Sequence, residues 1–130
     1  MLNREQCLEL LATVPVGRVG VSIRALPAVL PVNFVLVGSQ ILFRTIPGTK
    51  LDAATANAVV AFEADGFDPD GGSSWSVLVQ GICSEVTDPE DLARLARVRL
   101  EPWAFGPGVA ERLVRIDTSF VSGRRFHRAG

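Results

Sequence analysis

Residues that usually hold metals or form disulfides are nearly absent from this chain of 130 residues. It contains one histidine, His127, and two cysteines, Cys7 and Cys83. One imidazole cannot supply the ligand set of a zinc or non-haem iron site, so no metal centre is expected. Two cysteines are too few for a disulfide framework. Cys7 falls on the apolar stripe of a short helix and Cys83 within a strand, so we expect two buried free thiols.

The chain also lacks net charge and long apolar runs. Thirteen basic residues offset fourteen acidic ones, which leaves a formal charge of −1 at pH 7. No overall field attracts nucleic acid or an anionic membrane, so an anion site has to be local. No apolar run approaches the roughly 20 residues of a membrane helix, and the N-terminus does not resemble a signal peptide. We therefore expect a cytoplasmic protein that binds neither nucleic acid nor membrane.

The hydrophobic pattern favours one mainly β domain over residues 1–130. Hydrophobic residues make up 48% of the chain, enough to bury a core. Strands joined by short turns outnumber helices, which predicts an antiparallel β-barrel with peripheral α-helices. The predicted strands span residues 16–23, 28–37, 40–45, 58–64, 75–87 and 112–117, with turns at Leu26-Pro27 and Gly38-Ser39, a polar loop over 65–74 and a basic tail over 119–130.

Three short helices complete this prediction. Asn3 and Gln6 have the spacing of a capping box, which starts a helix that runs to about Ala12. Residues 51–57 have a helical composition. Asp88 and Pro89 have the types preferred at the N-cap and first helical position, so a third helix is predicted over residues 89–100.

The segment ILFRTIPGTKLD, residues 41–52, concentrates groups that bind phosphate. Arg44 and Lys50 supply cations, and the hydroxyls of Thr45 and Thr49 supply donors. Gly48 allows a close approach of the backbone, and a helix start follows. The alternative is that both cations are solvated and that Pro47-Gly48 is an ordinary turn. The spacing does not match a Walker A loop.

The run LPVNFVLVGSQILFRTIPGTKLDAA resembles the pyridoxamine 5′-phosphate oxidase-like, FMN-binding split-barrel family. The resemblance continues through VAFEADGFD, WSVLVQG and VSGRRF, and it covers nearly the whole chain in order. It implies an antiparallel split β-barrel that forms a homodimer, with FMN at the subunit interface. The residues that it assigns to the cofactor are Val32, Asn33, Phe34, Phe43, Arg44, Thr45, Thr49, Lys50, Trp75, Ser76 and Arg124.

Within the family, these positions have distinct roles. The strand matching residues 31–35 lies along the isoalloxazine ring and offers backbone groups to its polar edge. The end of the next strand and the following loop hold the ribityl phosphate, and Ser76 faces the flavin beside Trp75. Each of these residues also has a purely structural alternative. Phe34 and Phe43 would belong to the core, and Trp75 would anchor its strand. Asn33 would cap a bulge at Pro31.

The C-terminal segment departs from the larger oxidases. They end in a tryptophan-containing strand and an Arg-x-His motif that binds the pyridoxal phosphate. Here Val121 replaces the tryptophan, and Arg125 and His127 lie closer to Gly123 than in that pattern. We therefore do not expect oxidation of pyridoxamine phosphate. Trp103 and Phe105 could cover a flavin ring or plug the barrel.

The resemblance implies an FMN-dependent oxidoreductase that acts on an unidentified small molecule. The residues show no acid–base dyad, since Glu63, Asp65 and Asp68 read as solvated carboxylates. One alternative cofactor is the deazaflavin coenzyme, whose longer anionic tail needs further cations, with Arg18 and Arg24 as candidates. Another is a non-catalytic flavin-binding or haem-binding module, for which His127 is the available axial ligand.

Overall fold

The computed structural model describes residues 1–95 and 111–127. Within these residues, no helix has the length and apolarity that a membrane crossing requires. The elements in chain order are α1 (Arg4–Leu11), β1 (Val16–Ile23), β2 (Leu26–Asn33), β3 (Val35–Val37), β4 (Gln40–Thr45), α2 (Lys50–Thr55), β5 (Ala58–Asp68), β6 (Ser73–Glu85), α3 (Pro89–Leu95), β7 (Arg112–Asp117) and β8 (Phe120–His127).

The strands form one antiparallel sheet that curls into a half-barrel, which confirms the predicted split-barrel class. The strand order is β2-β1-β5-β6-β7-β4-β3, and β8 pairs with β6. The two strands at the ends of this path, β2 and β3, are consecutive in the chain, so the path bends back on itself. The inward side chains form the core and include Val19, Val21, Ile41, Phe43, Val60, Phe62, Val77, Val79 and Ile116.

The strand predicted over residues 28–37 is divided in two at Phe34. The amide of Phe34 donates to the Pro15 carbonyl at 3.0 Å, and its ring packs edge-on against Phe62 with the centroids 4.7 Å apart. With this ring buried, the chain leaves its pairing with β1 after Asn33 and begins to pair with β4 at Val35. Pro31 lies on β2, which is an edge strand, so its missing N–H costs no ladder bond.

β6 is the longest strand and pairs with three others. All of β5 pairs with one edge of β6. On the other edge, β8 pairs with residues 73–80 and β7 with residues 83–85. The chain crosses from β7 to β8 beside Gly81, where a Cβ atom would overlap the carbonyl oxygen of Asp117. Only glycine allows this approach, so Gly81 permits two strands to follow one edge.

Two segments predicted as irregular are strands. β5 extends to Asp68 and β6 begins at Ser73, so the predicted polar loop over 65–74 shrinks to residues 69–72. The predicted basic tail is also wrong, because Phe120–His127 pairs with Ser73–Gln80. Both segments contain glycine or charged residues with low strand propensity. Pairing with a long neighbouring strand overrides that propensity.

Several local predictions are confirmed. Asn3 and Gln6 form the capping box of α1, and the Asp88 carboxylate accepts from the Glu90 amide at 2.9 Å. α3 is helical to Leu95, and the rest of its predicted span lies outside the described residues. Both thiols are free and buried, and desolvation raises the pKa of each, that of Cys83 to about 12.

The first hairpin turns at Arg24 and Ala25, two residues before the predicted turn at Leu26-Pro27, which lies within β2. Their φ angles are 51° and 65°. A two-residue turn with both φ angles positive favours Asn-Gly, because asparagine tolerates the left-handed region and glycine has no Cβ atom. Residues with a Cβ atom are strained there by about 1 kcal/mol each. The turn is therefore less stable than the same turn with Asn-Gly at these two positions would be.

We expect replacement of this turn by the favoured pair, Arg24→Asn with Ala25→Gly, to stabilise the ligand-free protein. Relief of the left-handed strain should raise the free energy of unfolding by about 1 kcal/mol and Tm by about 4 °C. Thermal unfolding followed by circular dichroism measures the change. Gly38→Ala in the next hairpin is the matched control and should lower Tm, since Gly38 has φ 62°. An unchanged or lower Tm in the double variant would contradict the assignment of strain.

Candidate functional site

The loop between β4 and α2 is organised around the carboxylate of Asp52. The Thr45 hydroxyl donates to Oδ1 and the Gly48 amide donates to Oδ2, both at 3.0 Å. Arg112 Nε lies 3.2 Å from Oδ1 and joins β7 to the same carboxylate. Asp52 therefore holds Thr45, one of the donors that the sequence predicted for a phosphate, and the backbone amide of Gly48.

Two further predicted phosphate contacts also have partners within the protein. The Thr49 hydroxyl donates to the Ile46 carbonyl at 2.8 Å and accepts from the Asp52 amide at 3.2 Å, so Thr49 caps α2. Arg44 Nη1 forms an ion pair with Glu111 at 3.0 Å. Arg44 Nε is buried and meets no acceptor among the described residues.

Lys50 differs from its neighbours in this loop. Its side chain is exposed, and it forms no ion pair with a described residue. It lines a cleft of about 540 Å³ between α2 and the β1–β2 turn, together with Thr49 and Arg24. The apolar part of the wall consists of Ile23, Leu26, Ala53 and Ala54. No acidic residue is among the described residues that line this cleft.

A second cleft brings together two other predicted cofactor residues. Ser76 of β6 lies opposite Arg124 of β8 in the ladder. Both line a cleft of about 530 Å³ with Leu78, Ser122 and Phe126. Arg124 is exposed and has no ion-pair partner among residues 1–95 and 111–127. The separation of Lys50 and Arg124 into different clefts was not predicted.

The remaining predicted residues lie in or beside the core. Val32 and Phe34 are buried, Phe43 is fully buried, and the indole of Trp75 packs over Gly66. Their side chains belong to the core, and these residues line neither of the two clefts. Asn33 is half-buried at the end of β2, opposite Val16. β2 pairs with β1 alone, so one edge of its backbone lies outside the ladder.

An ionic cluster lies on the outer face of the sheet. Arg18 Nη1 lies 3.0 Å from Glu63 and 3.4 Å from Asp65. Desolvation, and then the neighbouring Asp65, raise the pKa of Glu63, while Arg18 opposes this shift. Arg18 is therefore neutralised by its own strand neighbours, unlike Arg24, which has no carboxylate partner within the described part of the chain.

The outer face also carries apolar side chains that the core does not use. On β5 and β6, Val59 lies opposite Ile82, and their exposed fractions are 75% and 51%. An antiparallel strand that is apolar on both faces is normally packed against other protein on both faces. The runs AVVAFEA and WSVLVQGI, which contain Val59 and Ile82, already carry this signal. The other exposed apolar side chains of this face are Val29, Phe67, Leu78, Phe120 and Phe126.

Comparison with known proteins gives the same architecture. The family described as pyridoxamine 5′-phosphate oxidase matches residues 3–125. The chain belongs to this family. Uncharacterized protein Rv0080 of Mycobacterium tuberculosis is 40% identical over 129 residues, covering 95% of this chain and 83% of that protein. The FAD binding protein from Mycobacterium smegmatis has 37% identity and a TM-score of 0.86, with 98% of both chains covered.

A more distant solved structure shares the fold. A FAD-binding protein from Mesorhizobium loti has 24% identity and a TM-score of 0.77, with 96% of both chains covered. Membership of the pyridoxamine 5′-phosphate oxidase family thus accounts for the half-barrel. Trp103 and Phe105, predicted to cover a flavin or plug the barrel, lie outside the described residues.

We expect Asp52→Asn to destabilise the loop that carries Lys50. The amide cannot accept from both donors and keep its ion pair with Arg112, so the free energy of unfolding should fall by about 2 kcal/mol. Urea denaturation followed by tryptophan fluorescence measures this change. Asp70→Asn, at an exposed position whose side chain makes no described contact, should change stability by less than about 0.5 kcal/mol. Equal effects in the two variants would contradict the role of Asp52.

Proposed function

We propose that this protein binds a phosphate-bearing flavin and acts as a flavin-dependent oxidoreductase on a small molecule. The observation that carries the proposal is Lys50, an exposed cation without a described partner, on the wall of an apolar cleft that no described acidic residue lines. The FAD-binding relative from Mycobacterium smegmatis, which matches 98% of this chain, supports a flavin. FMN is the smallest cofactor with the required ribityl phosphate, and the deazaflavin coenzyme carries the same group.

The cleft fits the phosphate end of such a cofactor. A phosphate needs charged or polar donors, and Lys50 supplies a point charge that can turn toward it. The apolar wall lowers the local dielectric and strengthens that attraction. We assign Arg44, Thr45 and Thr49 a positioning role, since their contacts with Glu111, Asp52 and Ile46 hold the loop.

For the ring we propose the open edge of β2 and the cleft at β6 and β8. The backbone around Asn33, between Val32 and Phe34, would meet the polar edge of the isoalloxazine, as the family resemblance implies, while the Phe34 amide keeps its bond to the Pro15 carbonyl. Ser76 and Arg124 would contact the ring from the other cleft, where a cation stabilises negative charge on a reduced flavin. The flavin, when bound, supplies the electron chemistry. The chain supplies orientation, exclusion of water and the charge of Arg124.

We propose that the two clefts belong to one site through homodimerisation. The outer face of β1, β5, β6 and β8 exposes an apolar patch that a second copy would cover, burying the Arg18 cluster at the same time. A two-fold axis through this face would place the Lys50 cleft of one subunit beside Ser76 and Arg124 of its partner. The flavin would then lie between subunits, and neither subunit alone would form the site.

We expect the purified protein to bind FMN with quenching of flavin fluorescence, and Lys50→Gln to weaken binding about tenfold. Loss of one charge-assisted phosphate contact accounts for this change. The affinities are measured by isothermal titration calorimetry. Arg94→Gln is the matched control, because Arg94 is 58% exposed and, within residues 1–95 and 111–127, its ion-pair partner is Asp91 alone. Failure of the wild-type protein to bind any flavin would overturn the proposed function.

We expect Ile82→Glu to convert a dimer into monomers and to abolish flavin binding at micromolar concentration. A charge placed on an apolar interface has no partner and must be desolvated. Sedimentation velocity gives the oligomeric state. Leu92→Glu on α3, at a position 41% exposed, is the control and should leave the dimer intact. Full flavin affinity in a monomeric Ile82→Glu variant would contradict a site shared by two subunits.

A further inference from the structure

We propose that assembly of the dimer takes up protons at Glu63, whose carboxyl lies beside the two-fold axis of the interface. This inference rests on the proposed function, in which two subunits share one flavin, and it names a regulation of that site. On the outer face, the axis has to pass midway between the Lys50 cleft and the Ser76–Arg124 cleft, because it brings the first cleft of one subunit to the second cleft of the other.

Across the sheet, this midpoint falls on β5. The Lys50 cleft borders the outer face at Ser22 on β1, and the second cleft borders it at Ser76 on β6. In the strand order, β5 lies between β1 and β6. The axis therefore crosses the outer face over β5.

Along β5, the midpoint falls between Ala61 and Glu63. Extension of the β1–β5 ladder by two residues brings the cleft edge on β1 level with Val59. The cleft edge on β6 pairs with Asp65. Side chains alternate between the two faces of a strand, so the outward residues between these two levels are Ala61 and Glu63. These two residues of one subunit therefore face the same two residues of its partner.

A hollow of about 240 Å³ opens on the outer face at this midpoint. Gly20 and Ala61 leave the space because they carry no side chain or a single methyl group. Glu63 forms part of the wall, with an exposed side-chain fraction of 37%. A second copy that covers this face closes the hollow and removes water from the carboxyl group. The complete lining consists of Arg18, Gly20, Val29, Ala61, Phe62 and Glu63.

The charges around Glu63 do not balance. Arg18 Nη1 lies 3.0 Å from the Glu63 carboxylate and 3.4 Å from that of Asp65, so one guanidinium serves two carboxylates. At the axis, two such clusters place two guanidinium groups against four carboxylates. Burial of a carboxylate without its own cation is costly, and a protein usually avoids the cost by protonating the group.

Other charged side chains of the described residues do not offset this excess on the same face. Arg124 is the next cation along the face, but it lies opposite Ser76 and two strands away from Asp65. The remaining neighbours of the cluster on β1, β2 and β6 are uncharged, namely Gly20, Val29, Pro31, Ser76, Leu78 and Gln80.

The sign of the proton linkage follows from burial. In the single subunit, desolvation and then Asp65 already raise the pKa of Glu63, while Arg18 opposes this shift. Closure of the hollow removes more water, so the pKa of Glu63 is higher in the dimer than in the monomer. The dimer then binds more protons than two monomers do. Its affinity is highest below the pKa of Glu63 in the monomer and is lost as the pH rises through the pKa in the dimer.

Sedimentation equilibrium of the full-length protein over a pH series tests this inference. All proteins carry Ile82→Ala, which weakens the apolar interface and makes dissociation measurable. We expect the dissociation constant of the dimer to rise about tenfold per pH unit between about pH 5.5 and about pH 7.5, as uptake of one proton per dimer requires. Glu63→Gln imitates the neutral carboxyl group and should give a flat profile with a tight dimer throughout. Glu90→Gln, at an exposed glutamate of α3, is the matched control and should keep the original slope.

The outcomes separate this inference from the function on which it rests. Equal dimer affinity at every pH, or a Glu63→Gln variant that keeps the slope, would overturn the proton uptake. If that protein still binds FMN, the flavin function stands. A protein with the original Ile82 that stays monomeric at every pH and binds FMN as a monomer would overturn this inference together with the shared site. Absence of binding to every flavin would overturn the proposed function itself.

Discussion

The close approach of the Asp117 carbonyl to Gly81 determines how β7 and β8 share one edge of β6. Because a Cβ atom cannot fit there, β7 and β8 can follow the same edge of β6 one after the other. The second of these strands places Arg124 opposite Ser76 and forms the cleft between them. The same pairing completes the outer apolar face on which the proposed dimer depends. Fold, second cleft and interface thus follow from one backbone contact.

Asp52 has a corresponding role in the other cleft. Its carboxylate is an internal anion that engages the Thr45 hydroxyl, the Gly48 amide and Arg112. A loop held in this way does not need an external phosphate to become ordered, so it is formed before the cofactor arrives. Preorganisation of this kind reduces the entropy lost on binding. It also leaves Lys50 as the cation of the loop whose charge is available to a ligand.

The sequence predicted the architecture well, whereas the roles of the site residues stay predictions and the structure adds only the partners that these residues have within the protein. Periodicity and turn residues indicated most strands, and the capping box of α1 was correct because such signals are local. β8 was missed because its charged residues do not alternate with apolar ones, and its strand character comes from pairing with β6. Residue type likewise marked Arg44 and Thr45 as phosphate ligands. It could not show that Glu111 and Asp52, distant or unremarkable in sequence, already engage them.

The central claim is that one flavin bridges the Lys50 cleft of one subunit and the Ser76–Arg124 cleft of the other. A crystal structure of the protein grown with FMN tests it most directly. The account predicts a two-fold dimer through the outer sheet face, with the phosphate within hydrogen-bonding distance of Lys50 of one subunit and the ring against Ser76 and Arg124 of the other. Phosphates bound by Arg44 and Thr45 in place of Glu111 and Asp52, or a flavin held within one subunit, would contradict it.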